Sequence, residues 1–201
     1  NPFNNTIVAV IVPVAGDAAI RQAKFSGKHA PHLLFIVDEA VAVPDEIYKG
    51  IESCMSGGHF RLLCTFNPRQ ESGPVYRMER DGTANVVALS AFNHPNVISG
   101  QAQIPGAVAR ETTVRRINQW TRRVAEGEPI DDECFELPGF LGGEIAKDQR
   151  GKPFLPLKPG HYKIVNPAFA YMVLGKYPAQ GTNQLISKEW TAAARSRWDL
   201  Y

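Results

Sequence analysis

Two apolar runs that stop abruptly at polar residues constrain this chain more than any other feature. Residues 33–37 (LLFIV) stop at Asp38 and Glu39, and residues 60–66 (FRLLCTF) stop at Asn67 and Pro68. Between them Pro44, Asp45 and Glu46 open a helix: proline suits a first turn, and acids suit the positive end of the helix dipole. Ile47, Ile51 and Met55 then recur every four residues as one apolar stripe, and Gly57 with Gly58 stops the helix. Strand, helix and strand at this spacing make a βαβ unit, which implies parallel strands. Both strands therefore end where open α/β sheets bind ligands, at their carboxyl ends.

The flanking sequence extends this pattern. Residues 6–13 (TIVAVIVP) are β-branched and end in proline, so they read as a strand buried on both faces, and residues 33–37 have the same character. Residues 85–89 (NVVAL) are a further strand candidate. Residues 111–126 read as a helix with Val114, Ile117, Thr121 and Val124 on one face, ended by Gly127. From 129 to 166 the chain carries much of its Pro and Gly with weak periodicity, and reads as loop and small ribbon, an appendage rather than a second core. Ser187 is placed to cap a last helix through Arg197.

At 201 residues there is material for one sizeable core, alone or with a small appendage. A net charge of +2 is uninformative about nucleic acid, so any basic footprint must be local. No apolar run approaches the ~20 residues that span a bilayer, and the apolar start lacks the basic region and cleavage site of a secretory signal. Cys54, Cys64 and Cys134 form no CxxC pair and no metal-ligand spacing with the histidines. Cys54 and Cys64, among apolar neighbours, read as reduced core residues, and a disulfide-free intracellular protein follows.

Phosphoryl transfer from ATP needs a carboxylate to hold Mg²⁺ and a polar group to position water. Asp38, directly after its strand, is placed for the metal, and Glu39, one step further out, for the base. A solvated turn ahead of a helix is the competing reading of the same two acids.

The segments FSGKHAPHLLFIVDEAVAVPDEIYKGIESCMSGG, RLLCTFNPRQESGPVYR and ALSAFNHPNVISGQAQIPGAV together resemble the ATPase half of the large terminase subunit of tailed bacteriophages and prophages. The similarity covers residues 25–108 and continues loosely to YMVLGKYPAQGTNQLISKEW. What it implies is a RecA-like parallel sheet flanked by helices, a partial P-loop NTPase fold with a loop-rich C-terminal appendage. The split implied is 1–127 for the incomplete core and 128–201 for the appendage and a linker helix towards a nuclease domain. The activity implied is a motor that couples Mg²⁺–ATP hydrolysis to movement of DNA into a capsid. On this chain Asp38 would be the metal carboxylate, Glu39 the catalytic one, and Thr65, Asn67 and Pro68 the motif that couples hydrolysis to movement. The implied partners are double-stranded DNA, a small terminase subunit, a portal protein and further copies in a ring, at the procapsid in the host cytoplasm.

The chain departs from that pattern by lacking GxxxxGK[ST]; Gly27 and Lys28 have neither the upstream glycine nor the hydroxyl residue. It reads as the middle of a larger protein or as a family member without its ends. Arg69, just past the Asn-Pro pair, is a candidate phosphate ligand, with a solvated loop arginine as the alternative. His29 and His94 read as hydrogen-bonded structural histidines and Trp120 as core. Arg115, Arg116, Arg122 and Arg123 repeat at seven residues as a candidate DNA stripe or an ordinary solvated face. Asp131, Asp132, Glu133 and Glu136 lack a strand framework for a two-metal nuclease site. The rival readings are one RecA-like half of a helicase, and an ATPase remnant serving as an assembly or interaction module.

Overall fold

A computed structural model describes residues 7–12 and 15–179. The described chain forms two compact units. One takes the residues up to Phe66 and Ser72–Asn85; the other takes Asn67–Glu71 and the residues from Val86 onward. The two compact units meet in sequence near residue 85, and five residues of one are inserted between elements of the other. No helix among the described residues is long and apolar enough to cross a membrane.

In the first unit, α1 (Ala18–Phe25), β1 (His32–Val37), α2 (Asp45–Glu52), β2 (His59–Cys64) and α3 (Gly73–Arg80) follow one another. β1 and β2 pair in parallel, with Leu34 opposite Arg61 and Ile36 opposite Leu63. Here the βαβ expectation holds. The expectation of strands buried on both faces does not. Phe35, Val37, Phe60 and Leu62 meet the core formed by Phe25, Val43, Ile47, Tyr48, Ile51 and Val75, while Leu34, Ile36 and Leu63 are 58%, 65% and 51% exposed. Side chains alternate across a strand, so a sheet covered on one face buries every second residue.

Two smaller expectations also fail. Residues 7–12 form no strand, although Val10 and Val12 lean on the same core; Thr6 and Pro13 lie outside the described residues. The apolar stripe of α2 stops at Ile51, because the helix ends at Glu52 and Met55 is 48% exposed. Cys54 is buried in its place, its thiol donating to the Phe25 carbonyl at 3.2 Å.

α1 (AAIRQAKF) is short and alanine-rich, and buries Phe25. Asp17 caps it, its carboxylate accepting from the Ala19 amide at 2.7 Å. α1 crosses α2 at Gly50, where an added Cβ would lie 2.6 Å from the Gln22 carbonyl oxygen. Arg21 of α1 donates to Glu46 through Nε at 2.8 Å, and Arg77 of α3 to Asp45 at 2.5 Å, so the acids that start α2 also fasten its neighbours.

The second unit contains α4 (Pro95–Ser99), α5 (Arg110–Trp120), β3 (Thr121–Arg123), β4 (Cys134–Glu136), β5 (His161–Ile164) and a π-helical turn (Ala170–Leu174). The strands form an antiparallel sheet in the order β3-β5-β4. The region read as an appendage supplies Leu137, Leu141, Ala146, Leu157 and Tyr162 to a buried core with Val97, Val114, Ile117, Phe169 and Val173. Phe135 stacks on Phe169 at 4.9 Å and on Tyr162 at 5.9 Å. Residues 85–89 form no strand. The helix expected to reach residue 126 ends at Trp120: the Thr121 hydroxyl donates to the Ile117 carbonyl at 2.7 Å, and the Trp120 carbonyl accepts from the amides of Val165 and Asn166. The helix expected after Ser187 lies outside the described residues.

The HPNV segment proves to be a joint. Pro95 starts α4, and His94 Nδ1 accepts from the Asn96 amide at 3.2 Å. The buried Asn96 side chain grips Ile104 from both sides, donating to its carbonyl and accepting from its amide, each at 2.8 Å. Arg110 donates through Nε to the Val97 carbonyl at 2.7 Å and pairs with Glu144 at 2.8 Å, satisfying the open end of α4. His94 is therefore structural, as expected. His29 is exposed beside Gly57 and Gly58, contrary to the hydrogen-bonded role expected of it.

Candidate functional site

The parallel register carries the ends of β1 and β2 side by side. The Thr65 amide donates to the Val37 carbonyl at 2.9 Å, and the Ala40 amide to the Thr65 carbonyl at 3.0 Å, so the ladder continues past both strands. This brings Asp38 against Thr65: the Thr65 hydroxyl donates to Asp38 Oδ1 at 2.7 Å. The Glu39 amide donates to the same oxygen at 3.0 Å. The Thr65 hydroxyl first, then that amide, hold the Asp38 carboxyl below its ordinary range against a small opposing effect of burial. Asp38 is thus an exposed anion with one oxygen engaged; among the described residues Oδ2 has no protein partner.

Glu39 is the one non-glycine residue at positive φ among the described residues, with φ 49 and ψ 42. For an L-residue with a full side chain this left-handed conformation costs about 1–2 kcal/mol. Two contacts hold the turn in place. Ala40 is fully buried, and the Tyr48 hydroxyl, reaching up from α2, donates to its carbonyl at 2.7 Å. Burial, with the Cys64 thiol alongside, raises the Tyr48 phenol far above its ordinary range, so it remains a donor. Burial raises the Cys64 thiol as well. Tyr48 went unrecognised in the sequence, where it sits beside Ile47 as one more core aromatic. Its only signal was an eight-residue spacing to the acidic turn.

Asn67 and Arg69 fall in the second unit with Pro68, which is buried. The Arg69 guanidinium lies 5.8 Å over the ring of Tyr171. Of the arginines read as a candidate DNA stripe, Arg116, Arg122 and Arg123 have protein partners. Arg116 stacks 5.3 Å over Trp120, Arg122 pairs with Glu128, and Arg123 donates to the Pro159 carbonyl at 3.3 Å. Because α5 ends at Trp120, Arg122 and Arg123 lie on β3 and do not extend a helical stripe. Asp131 and Glu133 bind Lys163 at 2.6 and 3.5 Å. No group of three or more His, Cys, Asp or Glu among the described residues could hold a metal.

A 51-residue stretch is 39% identical to a protein of Enterobacteria phage P7 described as a probable terminase, large subunit. The chain is similar to that phage protein over a quarter of its own length. The match spans 10% of the phage protein. No family model and no solved structure matches the chain.

Proposed function

We propose that this chain is the ATPase-motor portion of a DNA-packaging terminase large subunit, built on a RecA-like sheet. In this reading it couples Mg²⁺–ATP hydrolysis to movement of double-stranded DNA, together with a small terminase subunit, a portal protein and further copies in a ring. The observation that carries the reading is the Asp38–Thr65 pair at the adjoining carboxyl ends of two parallel strands; the likeness to the phage protein supports it.

The donor set fits Mg²⁺, which takes one or two carboxylates and completes its shell with water and substrate phosphates. Asp38 would hold the ion through Oδ2, because Oδ1 is engaged by Thr65 and Glu39. The bound ion would neutralise phosphate charge. Thr65 orients the carboxylate, and Glu39, beyond it on a pinned turn, accepts the proton of the attacking water. Asp38 and Glu39 by themselves repel a polyanion. Phosphates normally rest on a glycine-rich loop, and no GxxxxGK[ST] occurs in this sequence. That absence favours one second reading: a non-catalytic remnant that keeps the fold as an assembly or interaction module.

Glu39→Gln in the full reading frame separates the two. Glutamine keeps the shape and removes the base, so Mg²⁺–ATP binding should persist while turnover falls ~10²–10⁴-fold. Unchanged turnover would remove Glu39 from its role. No hydrolysis in the parent protein would favour the remnant.

A further inference from the structure

A chain with so small a net charge can present a basic surface only locally, and one stretch of twelve residues does so. Residues 147–158 (KDQRGKPFLPLK) hold four cations and one acid, an excess larger than the +2 of the whole chain. They belong to the second unit, where they fold back as a hairpin with a buried root and an exposed tip. Ala146 and Leu157 at the root are part of that unit's core, and Phe154 packs against it. The Leu157 amide donates to the Glu144 carbonyl at 3.0 Å, and the Phe154 amide to the Ala146 carbonyl at 2.9 Å. Nearer the tip, the Asp148 amide donates to the Lys152 carbonyl at 2.9 Å.

The tip itself is fixed by its own backbone. The Gly151 amide donates to the Asp148 carbonyl at 3.1 Å, and Gly151 stands at φ 79. A short hairpin loop of this form needs a left-handed residue at its end, which glycine supplies without strain. Asp148 Oδ1 accepts from the amides of Arg150 and Lys152 at 2.9 and 2.8 Å, so the stretch's one acid is folded onto its own turn. Lys147, Arg150, Lys152 and Lys158 are exposed, and among the described residues none of their charged groups has a protein partner. Glu144, the acid at the root, is taken by Arg110. Arg122 and Lys163 of the same unit likewise pair with Glu128 and Asp131. Only a fixed array of like charges at the tip is left open, and such an array repels itself until a polyanion meets it.

We propose that the 147–153 hairpin tip is a contact for the phosphate backbone of double-stranded DNA, made by Lys147, Arg150 and Lys152. The choice of a duplex as the polyanion rests on the packaging reading above. Each cation that meets a phosphate releases a condensed counterion, and a loop already ordered loses little freedom in doing so. Contacts to phosphate position a protein without reading sequence, which suits one that must handle any stretch of DNA it meets.

The test is a salt titration of binding to a duplex DNA fragment, followed by fluorescence anisotropy, in the full reading frame. The slope of log affinity against log salt counts the phosphates neutralised, at about 0.9 each. Lys147→Gln/Arg150→Gln/Lys152→Gln should make it shallower by about 2–3. Near-UV circular dichroism should not change, because all three side chains are exposed. Lys147→Arg/Lys152→Arg keeps the charges and should keep the parent slope. Lys49→Gln/Arg80→Gln removes two exposed cations of the first unit and should keep it too. An unchanged slope in the triple variant, a loss as large per charge in the first-unit variant, or no duplex binding by the parent would each overturn the assignment. ATP hydrolysis is measured on the same proteins. A shallower slope in the triple variant of a protein without turnover would keep the hairpin and sink the motor reading. Turnover with an unchanged slope would do the reverse.

Discussion

In the first unit two parallel strands cover a core with one face and turn Leu34, Ile36 and Leu63 outward; in the second, three antiparallel strands close over a continuous aromatic core. Their polar groups differ in the same sense. Three second-unit cations are spent on the protein itself: Arg110 on the end of α4, Arg122 on Glu128, Lys163 on Asp131. The acids of the first unit's turn are exposed, and Glu39's carboxylate has no partner among the described residues. The contrast teaches that exposed, unpaired acceptors and an extended buried core are found in different units. The first unit, with one sheet face uncovered, carries the acidic turn on which the proposed function rests, and the second buries its aromatic residues in a continuous core.

The sharpest way to break this comparison is to hollow out the denser core. Phe169→Ala should cost about 3–5 kcal/mol, as for other buried phenylalanines. Amide exchange at Ile117 and Tyr162 should quicken strongly, while that at Phe35 and Leu62 changes little. Equal loss in both sets would mean one cooperative block. A smaller effect is expected where α1 crosses α2. Gly50→Ala puts a methyl 2.6 Å from the Gln22 carbonyl oxygen and should destabilise the first unit by about 1–3 kcal/mol in a denaturant melt. An unchanged midpoint would show that α1 moves aside freely.

The mildest expectation concerns the second unit's surface charges. The Arg122 side chain, then the Ala125 amide, lower the Glu128 carboxyl from an ordinary 4.5 to about 2. A carboxylate lowered in the folded state contributes its stabilisation above its unfolded value, and loses it as pH falls through the folded one. The contribution should therefore be whole above pH 4.5 and fade towards pH 2, and Glu128→Gln should flatten that part of the profile. A carboxyl NMR titration of Glu128 with its midpoint near the ordinary value would contradict the pairing.

The βαβ unit was legible because its signals are local: an apolar run, a proline-started helix and a second run within about thirty residues. The Asp38–Glu39 turn was legible for the same reason, since strand ends announce themselves by a change of polarity. What stayed hidden depends on partners distant in sequence. Residues 85–89 have strand composition, but β propensity needs a neighbouring strand to become structure. Trp120 looks like the middle of a helix until Val165 and Asn166, far along the chain, take its carbonyl. The aromatic core of the second unit is spread over Phe92, Phe135, Tyr162 and Phe169 without a common period. The helix α1 has a cap at Asp17, but a short helix rich in alanine shows little apolar stripe in sequence.

Glu39 also bears on how this sequence can drift. Its backbone favours glycine, asparagine or aspartate, which tolerate the left-handed region far better than a long side chain does. A lineage without the proposed chemistry would be free to relax the turn with any of them, since the Tyr48 hydroxyl and the Thr65 carbonyl bond only the backbone groups of Ala40 and not the Glu39 side chain. Variation at position 39 among descendants therefore separates two histories. Glycine there would speak for a turn kept only as scaffold, and retained glutamate for the role proposed for its side chain.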